Sequence, residues 1–243
     1  VVLMLIDGLS YADVKRHAPQ WLEHAVPVLV DGVSNTEQGM VRIIGEPSLA
    51  QRLFDVGFRN LLGFTYWERA EELTDRVFTG FGDQVRKVKS FDDVLAELDG
   101  EKLFGTFVQI VRMGLDGAAH RQREKPNVAA IVRDIFADFE RLKTLFKRKS
   151  VSARLHLTSD HGILWAHEHA LQVYEFSEAE HPRYYEHAKR GQHVLNVEFE
   201  GKAFALLEYP YLRRELRANE WGVHGGLSFE ESVVPLINII TRR

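Results

Sequence analysis

Val1 to Ile6 is an unbroken apolar run that closes on Asp7-Gly8. A run with no polar alternation predicts a strand covered on both faces, central in a parallel sheet. The segments Asn60 to Tyr66, Val85 to Val88, Leu103 to Arg112 and Ala153 to Thr158 predict further strands. Helical spacing separates them. Ser48 to Val56 places Leu49, Leu53 and Val56 on one face, with Gly57 positioned to end the helix. Ser90 is positioned to cap Phe91 to Leu98, and Gly100 to terminate it. Asn127 to Lys147 keeps a 3.6-residue period through Val128, Ile131, Val132, Ile135, Phe136, Phe139, Leu142 and Phe146. Later, His193 to Phe199 and Ala203 to Tyr209 alternate as a hairpin turning at Glu200-Gly201. Ser228 with Glu231 forms a capping-box pattern before Pro235 and a last strand, Val233 to Ile240. The alternation predicts an α/β fold with a mostly parallel central sheet and helices on both faces.

The 243 residues, 45% hydrophobic, suffice for one α/β domain spanning 1–243, with no repeat or low-complexity linker. The chain starts inside a strand pattern without an initiator Met, which predicts a domain excised from a longer protein. A net charge of −4 with interleaved signs excludes a strongly basic nucleic-acid binder but leaves room for a local basic patch. Cysteine is absent, which excludes disulfides and thiolate metal sites and predicts a cytoplasmic protein. No apolar run approaches the roughly 20 residues of a membrane span.

Acid and imidazole side chains recur where predicted strands end: Asp7, then Asp116 and His120, then Asp160 and His161, then His224 ahead of Gly225-Gly226. Asp116 and His120 are four apart, a spacing that puts both on one face of a helical turn. Each piece alone reads as a turn Asp or a half-exposed His. Four such segments at strand ends together read as a metal site at the position where open α/β sheets place their chemistry. Arg42, Arg112 and Arg121 lie near these segments and are candidates to hold a phosphate oxygen, against an ordinary ion-pair role for each. Phe64 to Arg69 and Tyr209 to Arg214 interleave aromatics with cations, a pattern that suits base stacking or packing at the core edge. The excursion His167 to Gly191 offers His167, His169, His181 and His187 as a further ligand or acid, against a solvated loop. Gly80-Phe81-Gly82 lacks the context of a dinucleotide loop.

The ordered set Asp-Gly, Thr, Asp-x-x-x-His, Ser-Asp-His-Gly and His-Gly-Gly-x-Ser resembles the alkaline phosphatase superfamily and, within it, the PglZ domain, over nearly the whole chain. The resemblance implies an alkaline phosphatase-like fold and two divalent metal ions, Zn²⁺ first, with Mn²⁺ or Mg²⁺ at the more carboxylate-rich position. Asp7, Asp160 and His161 would hold the ion beside the nucleophile, and Asp116, His120 and His224 the other. The nucleophile falls in Val33 to Gly39, ahead of an apolar stretch closing at Gly45; Thr36 matches best and Ser34 stays open. If Gln38 to Ile44 is helical, its N-terminus faces the phosphoryl oxygens. The implied route is attack by the hydroxyl, a phospho-threonine intermediate, and hydrolysis. Three carboxylates against two divalent cations leave about one positive charge, which ionised Thr36 would cancel. The implied substrate is a phosphodiester such as nucleic acid or an oligonucleotide, with protein partners in a BREX-type phage-defence system. The rivals are a phosphomonoesterase and a non-catalytic scaffold.

Overall fold

The computed structural model describes residues 1–44, 48–66, 71–175 and 179–242, without the side chains of residues 71–73 and 121. In chain order the elements are β1 (Val2–Asp7), α1 (Tyr11–His17), β2 (Ala25–Leu29), α2 (Thr36–Ile44), α3 (Leu49–Asp55), β3 (Asn60–Thr65), α4 (Glu71–Val77), β4 (Val85–Lys87), α5 (Phe91–Gly100), β5 (Thr106–Met113), α6 (Asp116–Arg121), α7 (Val128–Arg148) and β6 (Ala153–Ser159). Short strands follow: β7 (Leu164–Trp165), β8 (Gln172–Val173), β9 (Tyr184–Tyr185), β10 (Val194–Phe199), β11 (Lys202–Leu207), β12 (Tyr211–Leu212) and β13 (Gly222–Val223), then α8 (Phe229–Ser232) and β14 (Val233–Thr241).

The main sheet has seven strands in the order β2-β14-β6-β1-β5-β3-β4. β1 pairs in parallel with β5 and β6, and β5 with β3, whereas β14 runs antiparallel to both β6 and β2. The sheet is therefore mostly parallel, as the pattern predicted, with one reversed strand. β1 shows why. Val2, Met4 and Ile6 pack with α5 and α7, while Leu3 and Leu5 face the cluster that includes α2 and α3. Alternation then turns Asp7 toward the α2 face. β2 escapes the sequence pattern because it is an edge strand, where Pro27 is tolerated and Val26, Val28 and Leu29 stay exposed.

α7 buries Val128, Val132, Ile135, Phe136, Phe139, Leu142, Leu145 and Phe146, and Trp21 stacks on Phe136 at 4.9 Å. Two sequence expectations need correction. Val56 does not share the inner face of α3 but is 73% exposed, because the chain turns at Gly57 (φ +102°) as soon as the last helical turn ends. Ser228 does accept the Glu231 N–H at 3.1 Å, but the Glu231 side chain does not return to complete the box. It is drawn instead to Arg183. The hairpin turns where expected, with positive φ at both Glu200 and Gly201. Among the described residues, no helix is long and apolar enough to cross a membrane. Gly45, Trp67 to Arg69 and Phe176 to Glu178, parts of three segments named above, lie outside the described residues.

Ser10 and Asp13 cap α1 reciprocally, and Trp165 Nε1–H donates to Asp13 Oδ1 at 3.1 Å, fastening α1 to the segment after β6. Burial pushes the Asp13 carboxyl up to about 6 from an ordinary value of 3.8. The folded chain thus holds a proton that the unfolded chain has released between those values. Asp13 should lower stability as pH rises from about 4 to about 6, by on the order of 3 kcal/mol. Asp13→Asn should flatten that slope relative to wild type in urea unfolding at pH 4.5 and 7; an unchanged slope would refute the assignment.

Candidate metal centre

The carboxyl ends of three adjacent strands, β6, β1 and β5, supply five of the six candidate ligands. Asp7 is the last residue of β1, Asp160 and His161 follow β6 directly, and Asp116 opens α6 just beyond β5 with His120 one turn on. His224 arrives from far along the chain. β13 pairs antiparallel with β7, which lies just beyond His161, so the ribbon lays His224 against His161 with the rings stacked at 4.2 Å. Two glycines permit the close packing this requires. A Cβ at Gly39 of α2 would sit 2.3 Å from the Asp160 carbonyl oxygen, and one at Gly162 would sit 1.9 Å from that of Glu230.

The six residues form two groups, Asp7, Asp160 and His161, and Asp116, His120 and His224, each with ligand atoms within 4.8 Å of one another. His161 Nδ1 lies 3.0 Å from the Gly162 carbonyl and His224 Nδ1 lies 3.0 Å from the Ser34 carbonyl. A carbonyl only accepts, so both Nδ1 atoms carry hydrogen. In the neutral rings, Nε2 then presents a lone pair. That of His224 points at Asp116 Oδ1 from 3.1 Å, and that of His161 faces Asp160 Oδ2 at 3.5 Å. Burial lowers the pKa of His224, which favours this neutral form. Lone pair against carboxylate is repulsive unless a cation lies between, and this fixed orientation is what metal-ligating imidazoles show.

Asp160 carries the same signal. Its Oδ1 accepts the Gly8 and His161 N–H groups at 3.0 and 2.9 Å, while Oδ2 is buried with no hydrogen-bond partner among the described residues; His120 Nε2 is likewise without one among them. Burial pushes the Asp160 carboxyl up to about 7. The donor set and its orphaned atoms fit two hard or borderline divalent cations.

Thr36 opens α2, and its buried hydroxyl lies 3.1 Å from both Asp7 Oδ1 and His161 Nε2. Ser34 is turned elsewhere: its hydroxyl donates to the Gly226 carbonyl at 3.0 Å and accepts the Gly225 N–H at 3.1 Å. It binds the His224 loop to the segment that carries Thr36. Beneath that loop, Arg183 and Glu231, both fully buried, pair in a bidentate fork at 2.9 and 2.8 Å, and Glu231 also accepts the Gly226 N–H. Sequence reasoning missed Arg183, since two charges 48 residues apart carry no local sign of burial.

The arginines do not gather at the site as a group. Arg112 is turned to Asp138, with Nη2 2.7 Å from the carboxylate, because the end of β5 lies over α7. Arg42 pairs with Asp31 and stacks over Phe199. The side chain of Arg121 lies outside the described residues. Arg213 sits over the Tyr185 ring and Arg214 pairs with Glu220 at 2.6 Å, so the segment packs inward from Tyr211 to Arg214 while Tyr209 stays exposed. Among the described residues, His167, His169, His181 and His187 join neither ligand group.

Neither a family model nor a curated protein matches the sequence. The fold, however, is shared with solved structures. Murine ectonucleotide pyrophosphatase/phosphodiesterase 5 superposes with a TM-score of 0.63 at 13% identity, covering 97% of this chain and 87% of that one. The human counterpart gives 0.62 at 11% identity, covering 98% and 87%. Phosphonoacetate hydrolase from Sinorhizobium meliloti 1021, in complex with phosphonoacetate, gives 0.58 at 12%, covering 98% and 89%. The chain therefore has an alkaline phosphatase-like α/β fold.

Glu231→Ala should leave Arg183 buried and unpaired, lowering the unfolding free energy by about 3–5 kcal/mol. Urea denaturation checks this, and a loss under about 1 kcal/mol would show that the pair does not hold the loop.

Proposed function

We propose that this protein is a metal-dependent phosphoesterase with Thr36 as nucleophile, acting on a phosphodiester. The observation that carries the reading is the Thr36 hydroxyl, buried at the start of α2 within 3.1 Å of two ligand atoms of the first group. Asp7, Asp160 and His161 would hold one cation, and Asp116, His120 and His224 the second, with Zn²⁺ favoured by imidazole donors without thiolates. When bound, such a pair supplies Lewis acidity that favours the Thr36 alkoxide and neutralises charge on the phosphoryl group.

The chain's own contribution is positional. Asn35 Oδ1 accepts the Gln38 N–H at 2.9 Å, which fixes the entry of α2 and leaves the Thr36 and Glu37 N–H groups for phosphoryl oxygens. The Thr36 oxygen attacks phosphorus, the P–O bond to one alcohol breaks, and that alcohol leaves with the proton. Water then cleaves the phospho-threonine ester, returning Thr36 and a phosphomonoester. A diester is favoured over a monoester because it carries one charge fewer, and Arg42 and Arg112 are committed to Asp31 and Asp138. For the PglZ assignment the support is motif order alone, and a nucleic-acid substrate and a defence-system role are what that resemblance implies.

Elemental analysis should find metal, and chromogenic phosphodiester turnover should exceed that of the monoester analogue. Thr36→Ala should lose about a thousandfold or more in kcat/KM while retaining metal, whereas Asp160→Ala should lose both. Bound metal without turnover of either ester would overturn the enzymatic reading in favour of a scaffold; monoester preference would overturn the diester assignment.

A further inference from the structure

Ser34 is fully buried and directs its hydrogen bonds at three consecutive residues of the loop that carries His224. Its carbonyl accepts the His224 Nδ1–H at 3.0 Å, its hydroxyl accepts the Gly225 N–H at 3.1 Å, and the same hydroxyl donates to the Gly226 carbonyl at 3.0 Å. That loop has little stiffness of its own, since Gly225, at φ +105°, and Gly226 both lack a side chain. Pairing with β7 ends at Val223, one residue short of the ligand, and the Glu231 carboxylate takes hold again only at the Gly226 N–H. Ser34 spans the gap between those two anchors. The flanking residues bring the segments together, because Val33 and Leu227 pack into one apolar cluster with Tyr184 and Leu206. Thr36 lies two residues beyond Ser34. One short segment thus carries both the hydroxyl beside Asp7 and His161 and the support of a ligand in the other group.

We propose that Ser34 is a positioning residue for the second cation, and that it couples filling of the Asp116, His120 and His224 group to the order of the Thr36 segment; this rests on the two-cation reading above. The Ser34 carbonyl holds the His224 ring in the tautomer whose Nε2 faces Asp116, and the hydroxyl pins the two residues that follow. Without the hydroxyl the ring keeps its acceptor but loses a fixed backbone. Coupling of this kind acts in both directions, so a cation that needs the ordered segment also stabilises it.

The test dialyses the metal-loaded protein against Zn²⁺ buffers of falling free concentration and reads zinc per chain by elemental analysis. Wild type should release two ions, and His120→Ala identifies the release that belongs to the second group. In Ser34→Ala that release should move to about ten- to a hundredfold higher free Zn²⁺, with the other moved by less than about threefold. Ser90→Ala, which removes the cap of α5 beyond the edge strand β4, controls for general loss of stability and should leave both releases in place. An unmoved second release, or equal movement of both, would overturn the proposal and leave the two-cation reading standing; a wild type that binds fewer than two ions would overturn both. Hydrogen exchange on wild type needs no Ser34 variant. Loss of the second ion should speed amide exchange in 33–39 as well as in 222–227, with α7 unchanged, and unaltered exchange in 33–39 would overturn the coupling. Each readout is independent of ester hydrolysis, so it decides Ser34 even if no ester turns over.

Discussion

Three carboxylates and three imidazoles are brought together at the carboxyl edge of a sheet, four of them buried and two half-buried. Lone pair faces carboxylate at 3.1 Å between His224 and Asp116, and Asp160 keeps a buried oxygen with no hydrogen-bond partner among the described residues. A cluster of this kind is unfavourable by itself, because like-charged or acceptor-only groups cannot satisfy one another. It is tolerable only if the surrounding structure is rigid and a cation relieves it.

Much of the remaining architecture can be understood as supplying that rigidity. Gly39 lets α2 press against the Asp160 backbone, which places Thr36 over the first group. The β7–β13 ribbon, the Ser34 hydroxyl and the Arg183–Glu231 fork fix the late His224 loop from three sides. The fork is expensive in desolvation, and its return is geometric: Glu231 Oε1 accepts the Gly226 N–H, two residues from a candidate ligand, in a charge-assisted bond. The β10–β11 hairpin packs through Phe204 and Leu206 onto Tyr184 and Val33, at the root of the segment that carries Thr36.

The two sides of Thr36 therefore differ in electrostatic character. One side gathers cation ligands and favours the phosphoryl group. The other presents the exposed carboxylates Glu37 and Glu200, both paired with Arg76.

Strand β1, helix α7 and the hairpin turn were legible because their signals are local: an unbroken apolar run, a 3.6-residue period, and a Glu-Gly pair able to take positive φ. The six candidate ligands were legible for the same reason, as acids and histidines at or just beyond predicted strand ends. Sequence left Ser34 and Thr36 open as nucleophile candidates, since both are hydroxyls in one loop; only the packed loop shows Ser34 turned to Gly225 and Gly226 and Thr36 turned to Asp7. The reversed direction of β14, the edge strand β2 and the burial of Arg183 with Glu231 were likewise decided by the tertiary structure. Each depends on a partner distant along the chain, and local pattern encodes what a segment can bury but not what it meets.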